Sequence, residues 1–306
     1  MCPRRAVRLY GYFARGNLGD EALRLTWTQA LAPVRCAPIA PPHLPRGRGP
    51  TLFVGGLFQD RTSRRSLAFY ALAVAAAAAQ GPVGLAAVGA DMTHPLSRRL
   101  VRWALARADY ISARDQPSLY ALSRLAADVR PGRDPVLAWP PPRRGGGGPV
   151  LVNLAPSLPR SARQAARGAA LTAARRLGAP LRGLALAGED LPALRGLSPL
   201  RPPTPALALA AVASSPLLVG CRLHALELAL VAGTPFLAVP WTAKVAGLVA
   251  LVERELPCPV PCVGEPGWER VLSPRWRQGL ARARDRLHEE AEESIRDVRD
   301  WINAVA

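Results

Sequence analysis

Residues 217–248, LLVGCRLHALELALVAGTPFLAVPWTAKVAGL, decide the fold. Leu217-Leu218-Val219-Gly220 is a short apolar run of the length of a buried strand. Arg222 to Ala232 is apolar at helical spacing and is closed by Gly233, a natural residue beyond a helix end. Thr234-Pro235 makes a turn, Phe236 to Val239 reads as a second buried strand, and Lys244 to Leu256 as a second helix. Strand, helix, strand, helix is the repeat of a parallel sheet covered by helices. In such sheets ligands sit beyond the carboxyl ends of the strands, where Arg222, His224 and Lys244 fall. If the two strands are neighbours their ends lie roughly 5 Å apart. One small anion would then meet all three side chains and the free amides of a helix start.

Lys244 is also the only lysine, the other thirty-nine basic residues being arginine. Arginine cannot lose its proton in a protein and lysine can, so a lysine kept in an arginine-saturated chain points to a need for its proton or its compact ammonium. The bland alternatives are a packed or capping histidine at a strand–helix junction and an incidental lysine. The three side chains together, on successive strand ends, favour a site.

Working outward, 306 residues suit two domains of about 150 each. With 49% apolar residues the chain is globular, and its net charge of +18 calls for an anionic partner. The arginines are scattered, only five Phe and five Tyr are available for base stacking, and no nucleic-acid-binding motif is present. A phosphorylated substrate or anionic lipid is therefore favoured over nucleic acid. Five cysteines without a regular framework fit a reducing compartment. Cys258 and Cys262 form a CxxxC motif with no companion Cys/His pair, so zinc is not expected, and Cys221 reads as a packing residue. Met1–Arg5 lead at once into a strand pattern without a signal-peptide core. The longest apolar stretch, Leu67 to Ala79, is too short to span a bilayer. The expected location is the cytoplasm, with peripheral contact at the inner, anionic face of the membrane left open.

Upstream, Val7 to Phe13 reads as a first strand, followed by Gly16-Asn17-Leu18-Gly19-Asp20-Glu21 and a helix from about Glu21 to Leu31. This turn lacks GxGxxG and GK[ST], and Asp20 stands where helix amides would otherwise hold a phosphate. Asp20 is either an N-cap or a carboxylate that accepts a proton from a substrate hydroxyl. Pro33 to Pro50 reads as a loop around a short strand. Thr51 to Gly55 is a strand, and Arg64 or Arg65, near the start of the helix Leu67 to Ala79, either holds an anion or is simply solvated. Val83 to Val88 and Tyr110 to Ala113 are further strands, the second running into Arg114-Asp115. Pro95 to Ala108 is an amphipathic helix with basic residues on one face, and Ser118 to Ala127 is helical.

Trp139-Pro140-Pro141-Pro142-Arg143-Arg144-Gly145-Gly146-Gly147-Gly148 is the sharpest break in composition and reads as a linker. Beyond it come a strand from Val150, a helix from about Ala162 to Leu177, a strand near Leu181 to Ala187, a helix Pro205 to Ser214 and, after the opening stretch, a long charged helix Arg275 to Ala304. The expected organisation is α/β with two Rossmann-like, doubly wound domains: 1–140, a linker 141–149, and 150–306 ending in a brace helix. Their strand ends would share a cleft, with Asp20, Arg65 and Arg114 opposite Arg222, His224 and Lys244.

Gly11-Tyr12-Phe13 with Gly16–Ala22, Gly55-Gly56-Leu57-Phe58-Gln59-Asp60 with Thr62–Ser66, Ile111–Asp115, Asp134-Pro135, Arg222-Leu223-His224-Ala225-Leu226 and Ala243-Lys244-Val245 resemble, in order, the motifs of polysaccharide pyruvyltransferases, close to the bacterial CsaB type. The resemblance implies a GT-B-like arrangement of the two domains. It implies transfer of the enolpyruvyl unit of phosphoenolpyruvate to a sugar as a cyclic ketal, with no metal or further cofactor. In the CsaB group the sugar is an N-acetylmannosamine of a lipid-linked cell-wall polymer precursor, and surface-layer homology domains later recognise the ketal. The first domain would take the acceptor and the second the donor. His224 is expected as the acid, Asp20 as the acceptor-side base, and Lys244 as either charge clamp or proton carrier. Substrate contacts are expected from Asn17, Arg65, Arg114, Arg222 and Leu223. The chain departs from the family in having Val54-Gly55-Gly56 for three glycines, Cys221 for serine, Thr242-Ala243-Lys244 for Asp-Pro-Lys, and no arginine after Val150–Pro156 before Arg160. The rival readings are a GT-B glycosyltransferase that uses a nucleotide sugar, and a non-enzymatic basic scaffold on anionic membrane or nucleic acid.

Overall fold

The computed structural model describes residues 6–61, 63–261, 263 and 267–306. Met1–Arg5, on which the reading of the N-terminus rests, Thr62 of the motif run, and Cys262 of the CxxxC pair lie outside the described residues. The described residues form two compact units. One takes in the chain up to Arg15, Ala22–Pro135 and Glu289–Ala306; the other is Gly16–Glu21 and Val136–His288.

The first part of the chain carries β1 (Val7–Tyr10), α1 (Leu18–Ala30), β2 (Cys36–Ile39), β3 (Thr51–Val54), β4 (Phe58–Gln59), α2 (Arg64–Ala78), β5 (Val83–Val88), β6 (Ala90–Asp91), α3 (Pro95–Leu105), β7 (Tyr110–Ala113), α4 (Gln116–Ser123) and β8 (Arg130–Pro131). Six strands make one sheet in the order β2-β1-β3-β5-β7-β8. Every neighbouring pair is parallel. β4 and β6 add a small parallel pair. Every residue of β1, β3, β5 and β7 is buried, as a parallel sheet covered on both faces requires. Tyr10, Phe53, Phe58, Leu67 and Leu85 are sealed in its core, each worth about 1.5–3 kcal/mol of burial. The Tyr10 and Phe53 rings pack with centroids 4.8 Å apart.

The remainder carries β9 (Val150–Asn153), α5 (Arg160–Leu177), β10 (Leu181–Gly183), α6 (Pro205–Ser214), β11 (Leu218–Gly220), α7 (Leu223–Ala232), β12 (Phe236–Ala238), α8 (Ala243–Glu253) and α9 (Pro274–Val305). Its four strands form a sheet in the order β10-β9-β11-β12, again wholly parallel. β11 and β12 are therefore direct neighbours, Leu218 facing Phe236 and Gly220 facing Ala238. Apart from His224 and Glu227, α7 is apolar, and it is buried along nearly its whole length, the mark of a helix packed inside a domain. It ends at Gly233 with φ 66°, the left-handed conformation that glycine adopts without strain.

The division between the units falls at Pro135/Val136, so the Pro/Gly-rich run Trp139–Gly148 belongs to the second unit. Within it the Gly148 N–H bonds the Ser214 carbonyl at 3.1 Å. From Glu289 onward α9 groups with the first unit. There Trp301 covers Gly84 so closely that a Cβ on the glycine would sit 2.5 Å from the ring, and the ring lies 5.8 Å from that of Tyr110.

Candidate functional site

The carboxyl ends of β9, β10, β11 and β12 gather the chemistry of the second unit. Asn153, fully buried at the end of β9, ties three of these ends together. Its Nδ2 donates to the Leu184 carbonyl at 2.9 Å, and its Oδ1 accepts from the Arg222 amide at 3.1 Å. Cys221 packs beside it and accepts at Sγ from the Ala155 amide at 3.1 Å. Burial pushes the Cys221 thiol up to about 11, so it stays protonated at neutral pH, consistent with a packing residue.

Arg222 is the last residue before α7, and its side chain turns toward the 3-10 turn Gly188–Leu194. Nε donates to Asp190 at 2.7 Å and Nη2 to Glu189 at 2.6 Å. Asp190 is completely buried and also accepts from the amides of Leu186 and Ala187, both at 3.1 Å. Burial raises the Asp190 carboxyl above its ordinary range against the pull of Arg222 and those amides. Burial works in the opposite direction on Arg222, where the two carboxylates outweigh it and keep the guanidinium firmly charged. The two carboxylates differ in exposure: the Glu189 side chain is 66% exposed and that of Asp190 is not exposed at all. A ligand can displace Glu189 without dry burial of a bare charge, whereas removing Asp190 from Arg222 would strand one.

The Gly16–Glu21 segment belongs to this unit. Asn17 bridges Ala187 in antiparallel fashion, and the Leu18 amide donates to the Leu186 carbonyl at 2.8 Å. α1 starts at Leu18, earlier than the sequence pattern indicates, because Asn17 Oδ1 accepts the Gly19 amide at 3.0 Å. Asn17, rather than Asp20, is thus the capping side chain. Asp20, half-buried in the first turn of α1, is left as the acceptor-side candidate. The half-buried His224 ring packs directly against Gly19: a Cβ there would sit 2.0 Å from His224 Nδ1. Its Nε2 faces the buried carboxylate of Glu227, one helical turn on, at 3.8 Å. Asp20 and His224 are therefore presented by one unit, with Gly19 between them.

Lys244 is half-buried in the first turn of α8. Neither α7 nor α8 is capped by the side chain of its preceding residue, Arg222 or Thr242. The two helix starts follow adjacent parallel strands, and helix-start amides favour an anion. Leu223 is 4% exposed, so its backbone amide, not its side chain, is the group able to meet a substrate.

The first unit holds the other two expected residues. Arg65 is exposed in the first turn of α2. Arg114 is 5% exposed; its Nε lies 3.5 Å from Asp115 and its Nη1 3.4 Å from Asp134. It also passes so close to Gly89 that a Cβ there would sit 2.6 Å from Nη2. The same structure that makes Arg114 conspicuous in sequence thus uses it as a buried ionic strut. The sequence reading missed Asn153, Glu189, Asp190 and Glu227. Gly188-Glu189-Asp190, polar residues following an apolar strand, was the available signal for two of them; Glu227 hides in an otherwise apolar helix.

The Polysaccharide pyruvyl transferase family model matches residues 17–242. No curated protein matches the chain at a significant level. Among solved structures, S. aureus MnaA in complex with UDP is 11% identical with a TM-score of 0.54, covering 95% of this chain and 91% of that one. A Listeria monocytogenes protein assigned as a UDP-N-acetylglucosamine 2-epimerase is 12% identical with a TM-score of 0.52, covering 95% and 90%. At these identities the likeness speaks for the fold, an α/β chain of GT-B type built on parallel sheets and ending in a helix.

Proposed function

The chain belongs to the polysaccharide pyruvyl transferase family, and from that premise we propose that it moves the enolpyruvyl unit of phosphoenolpyruvate onto a sugar as a pyruvate ketal. The acceptor we infer is an N-acetylmannosamine of a lipid-linked cell-wall polymer precursor, and the product would serve surface-layer anchoring. The observation that carries this reading is the family match itself, which runs from Asn17, the residue before α1, to Thr242, the residue before α8.

The chemistry follows from the groups at the strand ends. Phosphoenolpyruvate brings a phosphate and a carboxylate, which suit the N-terminal ends of α7 and α8, Lys244, and Arg222 once the exposed Glu189 yields to the donor. One sugar hydroxyl adds to C2 of the donor while its C3 methylene takes a proton from His224. A second hydroxyl then closes on C2 as the C2–O bond to phosphate breaks. Asp20 accepts the first hydroxyl's proton, the second hydroxyl's proton passes to the departing phosphate, and Asp20 returns its proton through solvent to His224. Of the two hydroxyl protons one thus ends on the new methyl group and one on phosphate, and the products are the ketal and inorganic phosphate. General acid–base steps of this kind supply about 10²–10⁴-fold each. His224→Ala and Asp20→Asn should each reduce phosphate release from phosphoenolpyruvate by that order while the circular dichroism spectrum is unchanged. Near-normal rates in either variant would remove that residue from the mechanism. Consumption of a UDP-sugar with phosphoenolpyruvate left intact would instead support the glycosyltransferase reading.

A further inference from the structure

α3 presents two unlike faces. Ser97, Val101, Ala104 and Leu105 are buried, and at 100° per residue they fill one side of the helix. The opposite side carries Leu96, Arg99, Arg102, Trp103 and, just past the helix end, Arg107. Leu96 and Trp103 are large apolar side chains left 56% and 37% exposed, and they fall on the same outward line two turns apart. The Arg107 guanidinium stacks on the Trp103 ring at 4.2 Å and donates to the Trp103 carbonyl at 2.6 Å, fixing the indole. From Pro95 to Ala108 there are four arginines and no acidic residue.

We propose that this outer face of α3 docks on an anionic lipid surface. The charge is complementary to acidic headgroups, and the indole and Leu96 supply the apolar insertion that phosphates alone do not need. Nucleic acid would use the arginines but leave Leu96 in water. No helix of the described residues is long and apolar enough to cross a membrane, so the contact lies in the plane of the interface. The inference rests on this surface alone and is independent of the reaction proposed above.

The test is co-sedimentation of the purified chain with vesicles rich in phosphatidylglycerol and with vesicles of phosphatidylcholine only. Binding is expected to the anionic vesicles and to weaken as salt rises. Arg99→Gln with Arg102→Gln should lower the partition coefficient about 30-fold, about 5-fold per arginine. Leu96→Ser with Trp103→Ser should lower it at least roughly tenfold. These side chains are exposed, and thermal melts of the variants should match the parent. Equal loss from a matched pair elsewhere, Arg201→Gln with Arg254→Gln, would reduce the effect to net charge and overturn the proposal. So would displacement from vesicles by a short single-stranded oligonucleotide with the Leu96/Trp103 variant behaving like the parent, which would assign the face to nucleic acid.

Discussion

At the scale of single residues, the decisive contact is His224 over Gly19. The sequence showed both the Gly-Asn-Leu-Gly-Asp turn and the RLHAL segment, but the reason for the second glycine appears only when the imidazole is seen to occupy the space a side chain would take. Gly19→Ala forces the ring aside, and if His224 is the acid we propose, a displacement of this size should cost about 10²-fold in kcat. Gly188→Ala, where a Cβ meets nothing within 4 Å, is the control expected to leave turnover unchanged. Equal activity of the two variants would mean that His224 need not sit where it is found. Arg222 shows the limit of reading residues one at a time. Its type and place pointed to an anion, yet its partners, Glu189 and Asp190, lie more than thirty residues away and are joined to it only by the order of the strands.

At the scale of elements, periodicity was a good guide to what lies in the sheet. The stretch 217–248 was read as two strand–helix units and forms β11, α7, β12 and α8, with no end shifted by more than three residues. Their adjacency, only a condition in the sequence, is met by the register of β11 with β12. The start of α3 at Pro95 was legible, and its cap is local: the His94 side chain accepts the Leu96 amide at 3.2 Å. What the local pattern does not show is the remote carboxylate of Asp60, which holds the segment leading into α3 by accepting the Thr93 and His94 amides at 3.0 and 2.9 Å and the Thr93 hydroxyl at 3.0 Å. Burial pushes the Asp60 carboxyl up, but these hydrogen bonds outweigh it and hold the group below its ordinary value of 3.8. A depressed carboxylate contributes stability above that ordinary value, and the contribution is lost as pH falls through the lower folded value. Asp60→Ala should destabilise the chain by about 2–4 kcal/mol at neutral pH. The gap to the parent should narrow once the pH falls below that ordinary value, as read by urea melts from neutral pH into strong acid; a gap constant with pH would remove the ionised carboxylate from the account.

At the scale of the molecule, the alternation of strands and helices was enough to fix the α/β class and the parallel sheets, because burial on both faces writes continuous apolar runs into the strands. Which chain segments associate was not legible: Gly16–Glu21 groups with residues 136–288, and the end of α9 with the first unit, through long-range contacts that leave no local pattern. Family membership narrows the chemistry to pyruvyl transfer, and the central claim is that phosphoenolpyruvate is the donor. The most direct measurement incubates the purified chain with phosphoenolpyruvate and an N-acetylmannosamine-containing lipid-linked acceptor, then follows phosphate release and product mass together. The account predicts inorganic phosphate and a cyclic pyruvate ketal on the sugar in equal amounts, and neither when donor or acceptor is omitted. Transfer of a sugar from a UDP-sugar to the same acceptor, with phosphoenolpyruvate recovered unchanged, would contradict it.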